Sequence, residues 1–262
     1  MTDTPIVELT VDDNVATLAL NRPDKFNAVN GQMHRELAAA MKTITRDADI
    51  RALIFTGRGK AFCAGQDLGE FDSKPAGYRI DELVRTTFNR FVLGLRELPI
   101  PVIAAVNGVA AGAGASLALA ADIRICSDRA MFMQAFVRVG LVPDTGSTWL
   151  LPHLIGIERA LHLAFTGEGV SAEKAVELGM ATMVVEHDAL METTQTYAAD
   201  LAARPTRALG LTKRAMYRSL TTSFPDALEY EAQLQQYAAQ TSDHREGVAA
   251  FLEKREPVFT GR

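Results

Sequence analysis

Cysteine is scarce in this sequence: only Cys63 and Cys126 occur among 262 residues. They lie in different apolar segments, and neither has neighbours at the spacing of metal ligands. The sequence therefore predicts neither a disulfide scaffold nor a metal site, and we expect two buried thiols.

Long uninterrupted apolar runs are also missing. The longest uncharged stretch, residues 98–121, is broken by two prolines, an asparagine, a serine and three glycines, so it is a poor candidate for a membrane-spanning helix. The first residues, MTDTPIVELTVDD, are acidic. They have neither the basic-then-apolar order of a secretory signal nor the arginine-rich character of a transit peptide. We expect a cytoplasmic protein without a membrane partner.

Clusters of basic residues are absent as well. The 27 lysines and arginines are scattered among 32 aspartates and glutamates, and the formal net charge is −5. A nucleic-acid surface needs concentrated positive charge, so we expect no nucleic-acid partner. A ligand with a few phosphates is still compatible, because one or two cations and backbone amides can hold it.

The composition that remains is typical of a globular protein, with 48% hydrophobic and 23% charged residues. Two β-rich runs open the sequence, at residues 6–11 and 15–20, and the turn cluster Asp-Asp-Asn between them predicts a hairpin. Helical periodicity and short apolar strands then alternate. The helices are predicted at residues 31–45, about 80–97 and about 112–121, and the strands at residues 52–56, 102–106 and 123–126. This alternation indicates an α/β protein with a mainly parallel sheet that is buried on both faces.

The last third of the sequence is mostly helical. From about residue 157 onwards we predict helices and one short strand at residues 181–185, and strand propensity is low after Arg204-Pro205. We therefore predict a core of residues 1–200 and a helical lobe of residues 201–262. The apolar residues of this lobe need a partner surface, either on the core or on a neighbouring subunit.

Two motifs follow the first strands of the sequence. The first, NRPDKFNA at residues 21–28, has residues that favour a turn followed by the start of a helix. Asn27 could serve as the cap of that helix. The second, KAFCAGQDL at residues 60–68, runs through small residues into Gly65. Small side chains let a ligand approach the backbone, which an amide-based anion site requires.

Two further motifs lie in the middle of the sequence. PVIAAVNGVAAGAGASLALAADI, residues 101–123, joins a buried strand to the start of a helix through Gly-Ala-Gly. Free N–H groups at a helix N-terminus favour a developing negative charge, although close helix packing also needs small residues. GLVPDTGSTWLLP, residues 140–152, places Asp144 just before another helix. An isolated aspartate there is more often an N-cap than a catalyst.

The four motifs together resemble the crotonase (enoyl-CoA hydratase/isomerase) superfamily in order and spacing, over about residues 5–261. The resemblance implies a spiral of repeated β-β-α units with a C-terminal helical lobe that packs at subunit interfaces. The implied assembly is a homotrimer or a dimer of trimers. The implied substrate is an acyl-CoA, in which coenzyme A is part of the substrate, and no permanently bound cofactor is implied.

The same resemblance assigns site residues. In these enzymes two backbone N–H groups bind the thioester oxygen, and the matching positions here are Gln66 and Ala113. Losing one such donor typically costs about 2.7 to 4 kcal/mol of transition-state stabilisation. The positions that match the path of the adenine and pantetheine of coenzyme A are Lys25, Ala28, Ala64, Asp67 and Leu68.

The departures from the family pattern bear on the reaction. Hydratases of this family use two glutamates to activate water, and the matching positions hold Ser116 and Phe136. Asp144 is the remaining carboxylate, and one carboxylate is enough to move a proton during isomerisation. We expect apolar walls around it, although each wall residue alone is more often ordinary core: Phe132, Met133, Phe136, Leu141 and Trp149.

The sequences of the motifs are most similar to those of the phenylacetate-pathway branch of the superfamily, in which a ring-epoxidised phenylacetyl-CoA is isomerised to an oxepin-CoA. The leading interpretation is therefore an acyl-CoA isomerase that uses Asp144. Two alternatives stay open. One is a hydratase or a dehalogenase-like acyl-CoA enzyme that uses other residues. The other is a non-catalytic or RNA-binding homologue, against which the acidic charge counts.

Overall fold

The computed structural model describes residues 5–70 and 77–262, and its largest element is a six-stranded sheet. The strands of this sheet are β1 (Val7–Asp12), β2 (Val15–Leu20), β3 (Ala52–Gly57), β5 (Val102–Val106), β7 (Ile123–Ser127) and β10 (Met183–Val185), and they lie side by side in that order. β1 and β2 form an antiparallel hairpin, and the other neighbours are parallel. The predicted hairpin and parallel sheet are confirmed.

Both faces of the large sheet are buried, as predicted. Along β3, Leu53 and Phe55 belong to one apolar cluster, while Ala52 and Ile54 belong to the other. Successive side chains of a strand point to opposite faces, so each cluster covers one face of the sheet.

A second, four-stranded sheet was not predicted. It consists of β4 (Ala61–Cys63), β6 (Val109–Ala111), β8 (Met131–Met133) and β9 (Gly169–Ser171). Each strand has three residues, too few for an alternating pattern to be recognised in the sequence. Because β9 interrupts the segment after residue 157, that segment is less uniformly helical than predicted.

The helices complete a repeated β-β-α unit. In the core they are α1 (Gly31–Arg46), α2 (Ile80–Thr86), α3 (Phe88–Glu97), α4 (Ala113–Ala120), α5 (Ser147–Ile155), α6 (Ile157–Thr166), α7 (Ala172–Leu178) and α8 (Leu190–Ala202). A strand of the large sheet, a strand of the small sheet and a helical segment follow one another three times, beginning at β3, β5 and β7. In the described part of the chain, no helix has the length and apolarity needed to cross a membrane.

The prediction of one helix over residues 80–97 was wrong, because the chain leaves helical geometry at Thr87. The hydroxyl groups of Thr86 and Thr87 donate to the carbonyl oxygens of Glu82 and Leu83, at 2.7 and 2.6 Å. Such bonds back to the preceding turn favour bending of a helix.

The suggestion that Asn27 caps a helix was also wrong. The cap of α1 is Asn30, whose side-chain oxygen accepts a hydrogen bond from the N–H of Met33 at 2.9 Å. Asn27 is fully buried, and its amide group donates to the carbonyl oxygens of Arg58 and Ala61. It therefore fastens the turn after β2 to the segment that leads into β4.

The C-terminal part of the described chain is helical, as predicted, and consists of α9 (Thr206–Ser219), α10 (Phe224–Ala239) and α11 (Ser242–Glu253). Lys213 of α9 forms an ion pair with Asp122 at 2.8 Å, and the Tyr217 hydroxyl donates to the same carboxylate at 2.5 Å. The division at residue 200 falls inside the last turn of α8. That boundary and the role of the lobe in assembly stay predictions.

Candidate active site

Gln66, Ala113 and Asp144 lie on the wall of one cavity of about 120 Å³. The rest of the described wall is mainly apolar, and it includes Leu68, Ile80, Leu83, Val84, Phe88, Phe136, Val139 and Leu141. Among the described residues of this wall, Asp144 is the only ionisable side chain. Larger grooves of about 890 and 580 Å³ lie on the C-terminal helices, and their walls contain none of the predicted site residues.

The backbone N–H of Gln66 makes no hydrogen bond to the adjacent segment of the chain at Val29. Val29 donates its N–H to the carbonyl of Gly65 at 2.8 Å and accepts a hydrogen bond from the N–H of Asp67 at 2.9 Å. In such a parallel bridge the middle residue directs its own N–H to the opposite side. Within the described part of the chain, the Gln66 N–H has no backbone acceptor.

The backbone N–H of Ala113 is free for a different reason. Ala113 is the first residue of α4, and the first N–H groups of a helix have no acceptor inside it. Gly112, with φ 53° and ψ −125°, turns the chain sharply into this helix and donates its own N–H to Met133 at 2.9 Å. The Ala113 N–H thus lies at the positive end of the α4 dipole.

Two glycines allow the segments that carry these amides to touch. A Cβ atom at Gly114 would lie 2.0 Å from the carbonyl oxygen of Cys63. One at Gly65, where φ is 91°, would lie 2.9 Å from the carbonyl oxygen of Ala111 and 3.3 Å from the Ala113 nitrogen. Any larger residue would push the two backbones apart.

We therefore predict that Gly114→Ala lowers the unfolding temperature. Its new methyl group must displace backbone atoms, and overpacking of this kind costs roughly 1 to 3 kcal/mol or more. The matched control is Gly31→Ala, where the new methyl would meet only side-chain atoms, of Arg35 at 3.6 Å and Glu70 at 3.9 Å. Thermal unfolding of both variants tests this, and equal unfolding temperatures would contradict the packing described above.

Asp144 is half-buried beside the cavity and does not cap α5. The N-cap of that helix is Gly146, without a side-chain hydrogen bond. Burial raises the pKa of Asp144 above its ordinary value, and a hydrogen bond from Thr145 opposes this rise. The carbonyl oxygen of Asp144 accepts from the Ser116 hydroxyl at 3.1 Å and from the Ser147 N–H at 2.9 Å.

The two residues at the positions of the hydratase glutamates have different surroundings. Ser116 is fully buried in α4, and its hydroxyl contacts the carbonyl oxygens of Gly112 and Asp144. Phe136 lies on the cavity wall, and its ring tip is 4.0 Å from the place where a Cβ of Gly112 would lie. The described wall therefore has an aromatic ring beside the turn into α4.

The apolar wall agrees only in part with the sequence prediction. Phe136 and Leu141 lie on the wall as expected, but Phe132, Met133 and Trp149 do not. Phe132 is packed in the core, while Trp149 stacks on His153 with ring centroids 4.1 Å apart. Sequence reasoning missed the wall from α2 and α3, although Ile80, Leu83 and Val84 have helical spacing, because apolar periodicity alone indicates only burial.

The residues predicted to contact coenzyme A lie on adjacent segments. Ala64 and Leu68 are on the cavity wall. The other three lie outside that wall: Lys25 is exposed, the Ala28 carbonyl accepts from Arg22, and Asp67 forms an ion pair with Arg22. Arg22 was missed, although it belongs to the NRPD motif. Its hydrogen bond lowers the pKa of Asp67. The roles of the five predicted residues stay predictions.

A histidine next to the site was also missed. The Nε2 atom of His34 lies 3.4 Å from the side-chain oxygen of Gln66, and its ring packs edge-on against Phe88 with centroids 4.6 Å apart. Burial lowers the pKa of His34, which favours the neutral ring. This contact joins α1 to the segment that carries the Gln66 amide.

Two packed sheets in a β-β-α spiral, a helical C-terminus and a small apolar cavity between strand-to-helix turns define a crotonase-fold protein. Residues 10–262 match the family model described as enoyl-CoA hydratase/isomerase, and the chain belongs to that family.

Known relatives cover almost the whole chain. A 1,2-epoxyphenylacetyl-CoA isomerase from Escherichia coli (strain K12) is 47% identical over 96% of this chain and 97% of its own. A protein from Rhodobacter capsulatus named "Probable enoyl-CoA hydratase" is 43% identical over 96% of each chain. The crystal structure of an enoyl-CoA hydratase from Bacillus anthracis has a TM-score of 0.92 at 33% identity, and covers 98% of this chain and 100% of its own.

Proposed function

We propose that this chain is an acyl-CoA isomerase that binds the thioester oxygen of its substrate through the N–H groups of Gln66 and Ala113. Asp144 is the group that moves the proton. One observation carries this proposal: a small apolar cavity has a single ionisable side chain on its described wall, together with two backbone segments whose N–H groups have no acceptor in the described chain.

The chemistry needs only these parts. Asp144 in its charged form removes a proton from the carbon beside the thioester carbonyl or from the γ carbon. The two N–H groups hold the negative charge that develops on the thioester oxygen. The same carboxyl group then returns the proton to another carbon, so the double bond moves and no atom is gained or lost. Burial suits this role, because it raises the pKa of Asp144 towards the pH at which it must take up and release a proton.

Hydration is disfavoured by the same wall. Addition of water by the two-carboxylate route needs a second carboxylate, and Asp144 has no ionisable neighbour on the described wall. The ring of Phe136 and the buried Ser116 hydroxyl stand where the family resemblance expects two glutamates. Neither side chain can act as the missing acid or base at neutral pH.

We propose ring-1,2-epoxyphenylacetyl-CoA as the preferred substrate, with an oxepin-CoA as product, and double-bond isomerisation of enoyl-CoA as a related activity. In the ring reaction the bond between the two epoxide carbons breaks as the ring expands to seven members, and Asp144 moves a proton from the carbon beside the thioester carbonyl to a ring carbon, so no atom is gained or lost. The 47% identity to an isomerase of that name supports this choice. The apolar wall, which includes the rings of Phe88 and Phe136, also suits a cyclic acyl group. Coenzyme A enters only as part of the substrate.

A substrate panel tests the proposal. We expect the purified protein to isomerise trans-3-enoyl-CoA and ring-1,2-epoxyphenylacetyl-CoA, and to hydrate crotonyl-CoA poorly. Turnover is measured for each substrate at saturating concentration. Hydration of crotonyl-CoA at a rate equal to or above isomerisation would overturn the proposal. It would favour the hypothesis of a hydratase, the activity in the name of the 43% identical relative.

A further inference from the structure

We infer that Thr145 is a positioning residue, whose side-chain hydroxyl holds the Asp144 carboxylate in the orientation in which it exchanges a proton with the substrate. The inference rests on the proposed role of Asp144. Its own evidence consists of a hydrogen bond, a strained backbone and a fixed main chain around the carboxylate.

The hydrogen bond is direct and shielded from water. The Oγ1 atom of Thr145 donates to the Oδ1 atom of Asp144 at 2.7 Å, and Thr145 is only 1% exposed. Among the described residues, no other group donates a hydrogen bond to the Asp144 carboxylate. Bonds to a charged acceptor are about twice as strong as bonds between neutral groups.

The backbone of Thr145 is strained, and the hydrogen bond of its hydroxyl gives a reason for a threonine at this position. Its φ is 55°, in the left-handed region that β-branched residues rarely adopt. Such a conformation is energetically unfavourable for a residue with a side chain, and glycine would avoid most of that cost. The chain has a threonine here, whose hydroxyl makes the only described bond to the Asp144 carboxylate.

The main chain of Asp144 is already fixed by other contacts. Its carbonyl oxygen accepts from the Ser116 hydroxyl and from the Ser147 N–H. Ser116 belongs to α4, the helix that begins with the proposed amide donor Ala113, and the Ser147 hydroxyl donates to the buried Gln134 side chain at 2.8 Å. These bonds fix the position of the Asp144 backbone relative to α4, and among the residues that the structure describes Thr145 alone fixes the carboxylate.

The charged side chains of the adjoining elements do not reach the cavity wall. In α2 and α3 they are Asp81, Glu82, Arg85, Arg90, Arg96 and Glu97, and in residues 135–139 the charged side chain is Arg138. The titratable side chain of α5 is His153, which stacks on Trp149 and is also outside the described wall. Asp81 pairs with Arg85, and Arg138 donates to the carbonyl oxygen of Gly167. The pKa of Asp144 is therefore governed by burial, which raises it, and by the Thr145 hydroxyl, which lowers it.

The test compares Thr145→Val with Thr145→Ser. Valine keeps the β-branched shape and the backbone strain but has no hydroxyl, so we expect kcat for isomerisation to fall roughly 10- to 100-fold with little change in KM. Without the donor the charged carboxylate is less stable, so the acid limb of the kcat/KM pH profile moves to higher pH. Serine retains the donor and is expected to restore both kcat and the limb.

A second variant keeps the inference testable if Thr145→Val does not fold. Thr145→Gly removes the hydroxyl and also relieves the strained φ, so we expect a well-folded protein with the same loss of kcat and the same displaced limb. Wild-type kcat and an unmoved limb in both the valine and glycine variants would overturn the inference. Full activity of Asp144→Asn would instead overturn the proposed function, so the two failures are distinguishable.

Discussion

Replacement of Asp144 by asparagine is expected to lower kcat for isomerisation by roughly 100- to 10,000-fold, the usual contribution of a positioned acid-base group. Asparagine has the same shape and can still accept the bond from Thr145, but it cannot take up a proton. Because no other ionisable side chain lies on the described cavity wall, no neighbour is positioned to replace it. Steady-state turnover of trans-3-enoyl-CoA and of the ring epoxide measures the loss.

The stability of Asp144→Asn separates lost chemistry from lost folding. Burial raises the pKa of Asp144 in the folded protein above its value in the unfolded chain. At a pH above both values the folded protein bears the cost of a buried charge, which vanishes below the unfolded pKa. The variant should therefore be at least as stable as wild type at neutral pH, and any gain should disappear on acidification.

Asp188→Asn is the matched control for this substitution. Asp188 is exposed in the short turn of helix His187–Ala189, away from the cavity. The Asp188→Asn variant loses the same charge as Asp144→Asn, and we expect it to keep the wild-type kcat. Full isomerase activity of Asp144→Asn, or an equal loss in both variants, would contradict the role proposed for Asp144.

Ala113→Pro is expected to lower kcat by roughly 100- to 1,000-fold, because it removes one of the two proposed oxyanion donors. Ala113 is the first residue of α4, the helical position where proline is best tolerated. The preceding Gly112 is outside the α region that a following proline disfavours. The substitution therefore removes an N–H with little expected change to the helix, and turnover of the same substrates measures its effect.

Ala113→Gly controls for the loss of the alanine methyl group, since it keeps the N–H. We expect this variant to retain kcat within a few-fold, whereas the proline variant loses it while its circular dichroism spectrum stays unchanged. If a folded Ala113→Pro protein kept wild-type kcat, the Ala113 N–H would not bind the developing charge.

The sequence was sufficient to predict the strands and helices in which apolar residues recur with a clear period. The β1–β2 hairpin, the strands β3, β5 and β7 and the helix α1 were predicted to within one or two residues. The strands of the small sheet were missed, because three residues carry no period and are fixed by the neighbours they pair with. The break at Thr87 depends on side-chain hydroxyls that bond within the helix, which periodicity does not register.

The candidate site was predicted in part. Motif resemblance indicated Gln66, Ala113 and Asp144, and these three residues lie on one cavity. The wall contributed by α2 and α3 was missed, since sequence cannot tell which apolar helix face is left beside a cavity. The left-handed Thr145 was equally hidden, because a β-branched residue gives no sign of positive φ in a sequence.

The most direct test of the central claim is the mass of the acyl product formed from trans-3-enoyl-CoA in water labelled with heavy oxygen. Isomerisation through Asp144 only moves a proton, so we predict a trans-2-enoyl-CoA product without label, at a rate that collapses in Asp144→Asn. Failure of the wild-type protein to form trans-2-enoyl-CoA, or an undiminished rate in Asp144→Asn, would contradict the account.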